Sequence, residues 1–116
     1  MFLTDAERKV MDLVWKNGDQ TAKALAADLA VTANWRKTTS YTMITRCVDK
    51  GFLRREEPNF TCTAAVSKEE VAVWETNELM ENHFQGSASL LMASLVEQKK
   101  LSLEDVEKLY NQLREA

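Results

Sequence analysis

Glycine and proline are scarce, with three Gly and one Pro in 116 residues, which excludes a loop-rich or disordered chain. Long apolar runs are missing too. No stretch approaches the roughly 18 consecutive apolar residues of a membrane span. The N-terminal Met-Phe-Leu-Thr-Asp lacks the basic start and apolar core of a secretion signal, so a cytoplasmic protein is expected. Histidine is almost absent. The single His83 ends an acidic helical stretch, where an imidazolium is stabilised by the helix dipole, and no base or nucleophile pairs with it in the sequence. Glu56-Glu57 and Glu69-Glu70 read as surface and first-turn charges. No catalytic residue and no cofactor are expected, and the chain is not read as an enzyme. The two cysteines, Cys47 and Cys62, lack metal-ligand spacing and read as reduced structural thiols, so no metal is expected either.

Positive charge is in overall deficit, at net −3, which argues against nucleic-acid binding until the chain is divided. Residues 1–66 carry ten Lys and Arg against eight Asp and Glu (+2), and residues 67–116 carry five against ten (−5). Between Val31 and Arg55 the bases Arg36, Lys37, Arg46, Lys50, Arg54 and Arg55 face only Asp49. A basic centre and an acidic C-terminal part imply different partners.

What is present is helix. Hydrophobic residues make up 45% of the chain, enough for a packed core, and Ala, Leu, Glu and Lys are frequent. From Trp35 to Gly51, Met43, Ile44, Cys47 and Val48 recur at helical spacing and Gly51 supplies a stop. The opposite side carries Thr38, Thr39, Thr42, Thr45 and Arg46. Short hydroxyls and a guanidinium suit base edges and phosphates, because Arg bonds guanine bidentately and a Thr methyl can meet a thymine methyl.

Two helices precede this one. Thr4-Asp-Ala-Glu7 is a capping box, Val10, Leu13, Val14 and Trp15 form an apolar face, and Asn17-Gly18 ends the helix. Thr21 caps a second helix, Ala22 to Ala30, and Asn34-Trp35 breaks the chain before the third, about Lys37 to Lys50. Beyond Gly51 two short β-compatible runs flank Glu57-Pro58-Asn59, which predicts a hairpin. Three helices and a hairpin make a winged helix-turn-helix.

Residues 67–116 are expected to form a helical dimerisation part. Ser67-Lys-Glu-Glu70 opens a helix to about His83, Ser87 to Glu97 is a second, and Ser102-Leu-Glu-Asp105 starts a third. Their stripes comprise Val71 and Trp74, then Leu90, Leu91 and Leu95, then Val106, Leu109, Tyr110 and Leu113. A symmetric second copy is the simplest cover for so much apolar surface. The fold class is therefore mainly α with a small β-hairpin, divided at residues 66 and 67.

The ordered set Thr4-Asp-Ala-Glu7 with Val10-Met11 and Trp15, Trp35 to Arg46 with Lys50-Gly51, then Val66-Ser67, Leu101-Ser102 and Leu109-Tyr110 resembles the penicillinase repressor (BlaI/MecI) family over nearly the whole chain. The resemblance implies a homodimeric repressor that binds double-stranded DNA at a palindromic operator, with β-lactamase or penicillin-binding-protein genes as usual targets. By position, Thr38, Thr39, Thr42 and Arg46 then face DNA and Arg36 and Lys37 lie beside phosphate. Tyr41, Arg54 and Arg55 complete the expected interface.

Three departures stand out. The wing tip reads Glu56-Glu57-Pro58-Asn59 where the family has Gly and basic residues, so Arg54 and Arg55 are expected to replace its phosphate contact. A sensor protease that cuts Asn-Phe is an implied partner, but the corresponding bond here is Ser94-Leu95. The paired Cys-x-Cys motifs of a copper-responsive branch are missing. A winged-helix module that binds protein and not DNA stays open as the competing reading, on the acidic wing tip and the net charge.

Overall fold

A computed structural model describes residues 2–116. The element order is α1 (Asp5–Asn17), β1 (Gln20–Thr21), α2 (Ala22–Thr32), α3 (Lys37–Asp49), β2 (Leu53–Glu56), β3 (Thr61–Ala64), α4 (Lys68–His83), α5 (Ala88–Glu97) and α6 (Leu103–Glu115). All the helices but α3 start where short polar side chains can satisfy the first free amides. Thr4 accepts from the Glu7 amide at 3.2 Å while Glu7 accepts from the Thr4 amide at 2.8 Å. Ser67 with Glu70 and Ser102 with Asp105 repeat this reciprocal arrangement. Thr21 and Ser87 cap α2 and α5.

The hairpin is part of a larger sheet. Three antiparallel strands lie in the order β1-β3-β2, with Thr21 opposite Thr61 and Leu53 opposite Ala64. The sequence reading lacks β1, because two residues are too short to show alternation. The strand exists through its partner, and the Ala22 amide extends it by donating to the Phe60 carbonyl at 2.9 Å.

One compact unit ends at Glu75 and a second runs from Thr76 to Ala116. The core of the first is built from Val10, Met11 and Val14 of α1, Leu25 and Leu29 of α2, Ile44 and Cys47 of α3, and Phe52, Leu53 and Cys62 around the sheet. At about 25 cal/mol per Å² of apolar surface, each large side chain buried here contributes roughly 1.5–3 kcal/mol. Val71 belongs to the same core at 2% exposure, and Trp74 packs against it. That corrects the dimerisation stripe. These two side chains close the N-terminal unit, and the helix that carries them begins in that unit, so the compact boundary lies within α4 and not at residue 66. The Trp15 indole N–H donates to the Val66 carbonyl at 3.0 Å and Arg8 pairs with Glu75, which ties the start of α4 to α1.

The second unit has no comparable interior. Among the described residues from Thr76 to Ala116, none is buried. Leu91 and Leu95 are half-buried, whereas Leu90, Val106, Leu109 and Tyr110 are exposed, as are Leu103 at 84% and Leu113 at 78%. No helix among the described residues is long and apolar enough to cross a membrane.

Candidate nucleic-acid interface

The site is the outer side of α3. The helix turns Ser40, Ile44 and Cys47 inward, with Met43 and Val48 half-buried beside them. It therefore cannot rotate without exposing the core. The chain enters it through Asn34, held in the left-handed region at φ 56°, after which the Trp35 amide returns to the Leu29 carbonyl at 3.3 Å. Lys9 of α1 sits 5.9 Å from the Trp35 ring centroid. At the other end Gly51 (φ 85°) lets the Phe52 amide reach back to the Cys47 carbonyl at 2.9 Å, a left-handed closure that a side chain would strain.

Thr38, Thr39, Thr42, Thr45, Arg46 and Asp49 are exposed. Thr38, Tyr41, Thr42, Thr45, Arg46 and Asp49 line one open, shallow depression. The Thr42 hydroxyl donates to the Thr38 carbonyl at 2.9 Å, which leaves its methyl and its oxygen lone pairs for an approaching group. Arg36 stands at the N-cap without a side-chain hydrogen bond, next to exposed Lys37, so the first amides of α3 and two cations share one end of the site. Thr45 and Asp49 complete the row. In the sequence Asp49 reads only as a charge opposing the basic cluster, although the spacing 38, 42, 45, 49 places it on this face.

The other expected bases have different surroundings. Lys50 lies with its ammonium 2.8 Å from Glu7 Oε2 and 3.0 Å from Oε1, so this cation serves a buried carboxylate and does not add to the outward charge of α3. Burial tends to raise the Glu7 pKa, but the Lys50 ammonium and the Thr4 amide outweigh it and hold the carboxyl below its ordinary range. On the hairpin, neighbouring positions alternate between faces, so Arg54 and Arg55 point to opposite sides of the sheet. Arg54 is exposed. Arg55 pairs with Glu57, and its guanidinium carbon stands 3.7 Å from the Phe60 ring centroid. Phe60 in turn meets the Tyr41 ring edge-to-face at 6.3 Å and 74°, and Lys37 lies 6.0 Å from the Tyr41 ring.

Both cysteines are buried and free, and burial pushes Cys47 up to about 12 and Cys62 up to about 11. Neither forms a thiolate near neutrality, the species that would bind metal or attack a disulfide.

Residues 3–115 match the family model described as penicillinase repressor. The chain is 24% identical to the penicillinase repressor of Bacillus licheniformis over 115 residues, covering 97% of this chain and 90% of the relative. It is 25% identical to the methicillin resistance regulatory protein MecI of Mammaliicoccus sciuri over 111 residues, covering 94% and 90%. Among solved structures, it resembles the solution structure of the Bacillus licheniformis BlaI monomeric form in complex with the blaP half-operator. That match has a TM-score of 0.52 and 28% identity, over 60% of this chain and 88% of that one. With a winged helix in its N-terminal unit and the family match running through both units, the chain belongs to the penicillinase repressor family of transcriptional regulators.

Proposed function

We propose that this protein is a sequence-specific DNA-binding repressor that acts as a homodimer on a palindromic operator, with α3 in the major groove. One observation carries the reading: the outward side of α3 presents Thr38, Thr39, Thr42 and Arg46 while its inner side is locked into the core. In this role Arg46, Thr39 and Thr42 read base edges, and Arg36, Lys37 and the free amides of the first turn bind phosphate. Tyr41 borders the bases, and Arg54 approaches the backbone beside the wing. Leu90, Leu91 and Leu95 with Val106, Leu109, Tyr110 and Leu113 form the dimer contact. The solved relative bound to a half-operator in monomeric form supports one winged helix per half-site. The names of the curated relatives support antibiotic-resistance genes as targets.

Selecting bound sequences from a pool of random duplexes tests this directly. A two-fold-symmetric consensus is expected, bound with a steep salt dependence because phosphate contacts release counterions. In that assay Arg46→Ala should weaken binding by about 1–3 kcal/mol without unfolding the chain. Enrichment of no duplex would reject DNA as the partner and favour a protein-binding module. Unchanged affinity for Arg46→Ala would move base reading off this face.

A further inference from the structure

We infer that Arg55 and Phe60 of the wing act on the operator through α3 and not through phosphate, as positioning residues that set the ring of Tyr41 against the bases. The inference deepens the reading of α3 as the base-reading helix and rests on it. Four observations converge. Residues 54–57 of the wing, Arg54-Arg55-Glu56-Glu57, carry two positive and two negative charges, which gives no net attraction for a polyanion. Of the two cations, Arg55 is already engaged, ion-paired to Glu57 and stacked on Phe60 at 3.7 Å. Phe60 contacts Tyr41 edge-to-face at 6.3 Å, and Tyr41 lines the same open depression as Thr42 and Arg46. Lastly, Phe60 holds φ at 49°, a left-handed backbone that a bulky L-residue adopts at a cost.

That strain needs a return, and glycine or asparagine would meet the turn more cheaply. What the aromatic residue supplies is its ring. Inserted between the Arg55 guanidinium and the Tyr41 ring, it carries the position of the hairpin to the middle of α3. Its backbone is fixed as well, since the Phe60 carbonyl accepts from the Ala22 amide at 2.9 Å at the start of α2. Tyr41 thus has two of its sides determined, by Phe60 and by Lys37 at 6.0 Å, while the rest of the ring borders the depression. A ring so held discriminates against a neighbouring base pair of the wrong shape, because it cannot swing aside.

The test uses the full chain, the duplex it selects from a random pool, and that duplex altered one base pair at a time, titrated across a salt series. Phe60→Leu should compress the discrimination between the selected duplex and its altered forms by about threefold to tenfold, the worth of an aromatic contact. Arg55→Gln should compress it about two- to fivefold. Phe60→Tyr should restore it. The salt slope should stay at the wild-type value in all three, whereas Arg36→Gln, a phosphate contact in this reading, should lower it by about 1. Arg55→Gln is an exposed change and keeps the test open if Phe60→Leu proves unstable. A slope lowered by about 1 in Arg55→Gln would overturn the proposal, since Arg55 would then be a phosphate ligand. So would wild-type discrimination in both Phe60→Leu and Arg55→Gln. A wild-type chain that enriches no duplex would overturn the reading of α3 and this inference together, which separates the two failures.

Discussion

Glu7 shows how much one residue can do when its surroundings are unusual. It closes the capping box of α1 and is fully buried, and it is paired with Lys50, 43 positions later. Because its folded-state pKa is depressed, folding gains stability that is present above the ordinary carboxylate pKa and is lost as pH falls through the depressed value. Lys50→Met removes a lowering influence while burial remains. It should cost about 1–3 kcal/mol at neutral pH, less than breaking a wholly buried pair because the lysine is partly exposed, and it should shrink the pH dependence. Urea unfolding at pH 7 and pH 4 checks both, and a variant with the parent's midpoint at pH 7 contradicts the account. The capping half of this arrangement was legible in the sequence because its two residues lie only three positions apart. The ion pair was not, since Lys50 sits among other bases and only the fold reveals which base turns inward. The burial of Ser40 was not legible for a related reason: a polar side chain gives no sequence signal of the fully buried position it holds.

The helices of the first unit were legible because their apolar periods are local in sequence, joined by the caps Thr4 and Thr21 for α1 and α2 and by the Gly51 stop for α3. β1 was not, being defined by hydrogen bonds to a strand some 40 residues away. The expected dimerisation stripe of α4 failed instructively at Val71 and Trp74. Helical spacing shows that a face is apolar but not which body covers it, and here the start of the helix packs on the N-terminal core. At the N-terminus of α1, Thr4→Ala should cost about 1 kcal/mol, read as a lowered denaturation midpoint with an unchanged slope. In α5, Ser94-Leu95 lies in the last turn of a regular helix, with both side chains half-buried. A sensor protease specific for Asn-Phe should leave that bond intact. The mass after co-expression should be that of the whole chain, and two fragments meeting at residue 94 would contradict this.

The whole molecule combines a unit with a well-filled core and a unit in which no described residue is buried. The exposed Leu103, Leu109 and Leu113 of α6 are better explained by a second copy than by water. Leu109→Glu, which places a charge in the proposed contact, should convert the sedimenting dimer to monomer while the N-terminal unit keeps its folded spectrum. A parent chain that sediments as a monomer at micromolar concentration would contradict the dimer outright. The charge division was visible from composition, and so were the apolar stripes. Which apolar side chains the core takes and which stay exposed emerged only from the fold. If the second unit acquires an interior only by pairing, its order is a bimolecular event. Occupancy of a paired half-site operator should then rise with nearly the square of protein concentration while monomer predominates, so a modest fall in synthesis would release the controlled gene disproportionately.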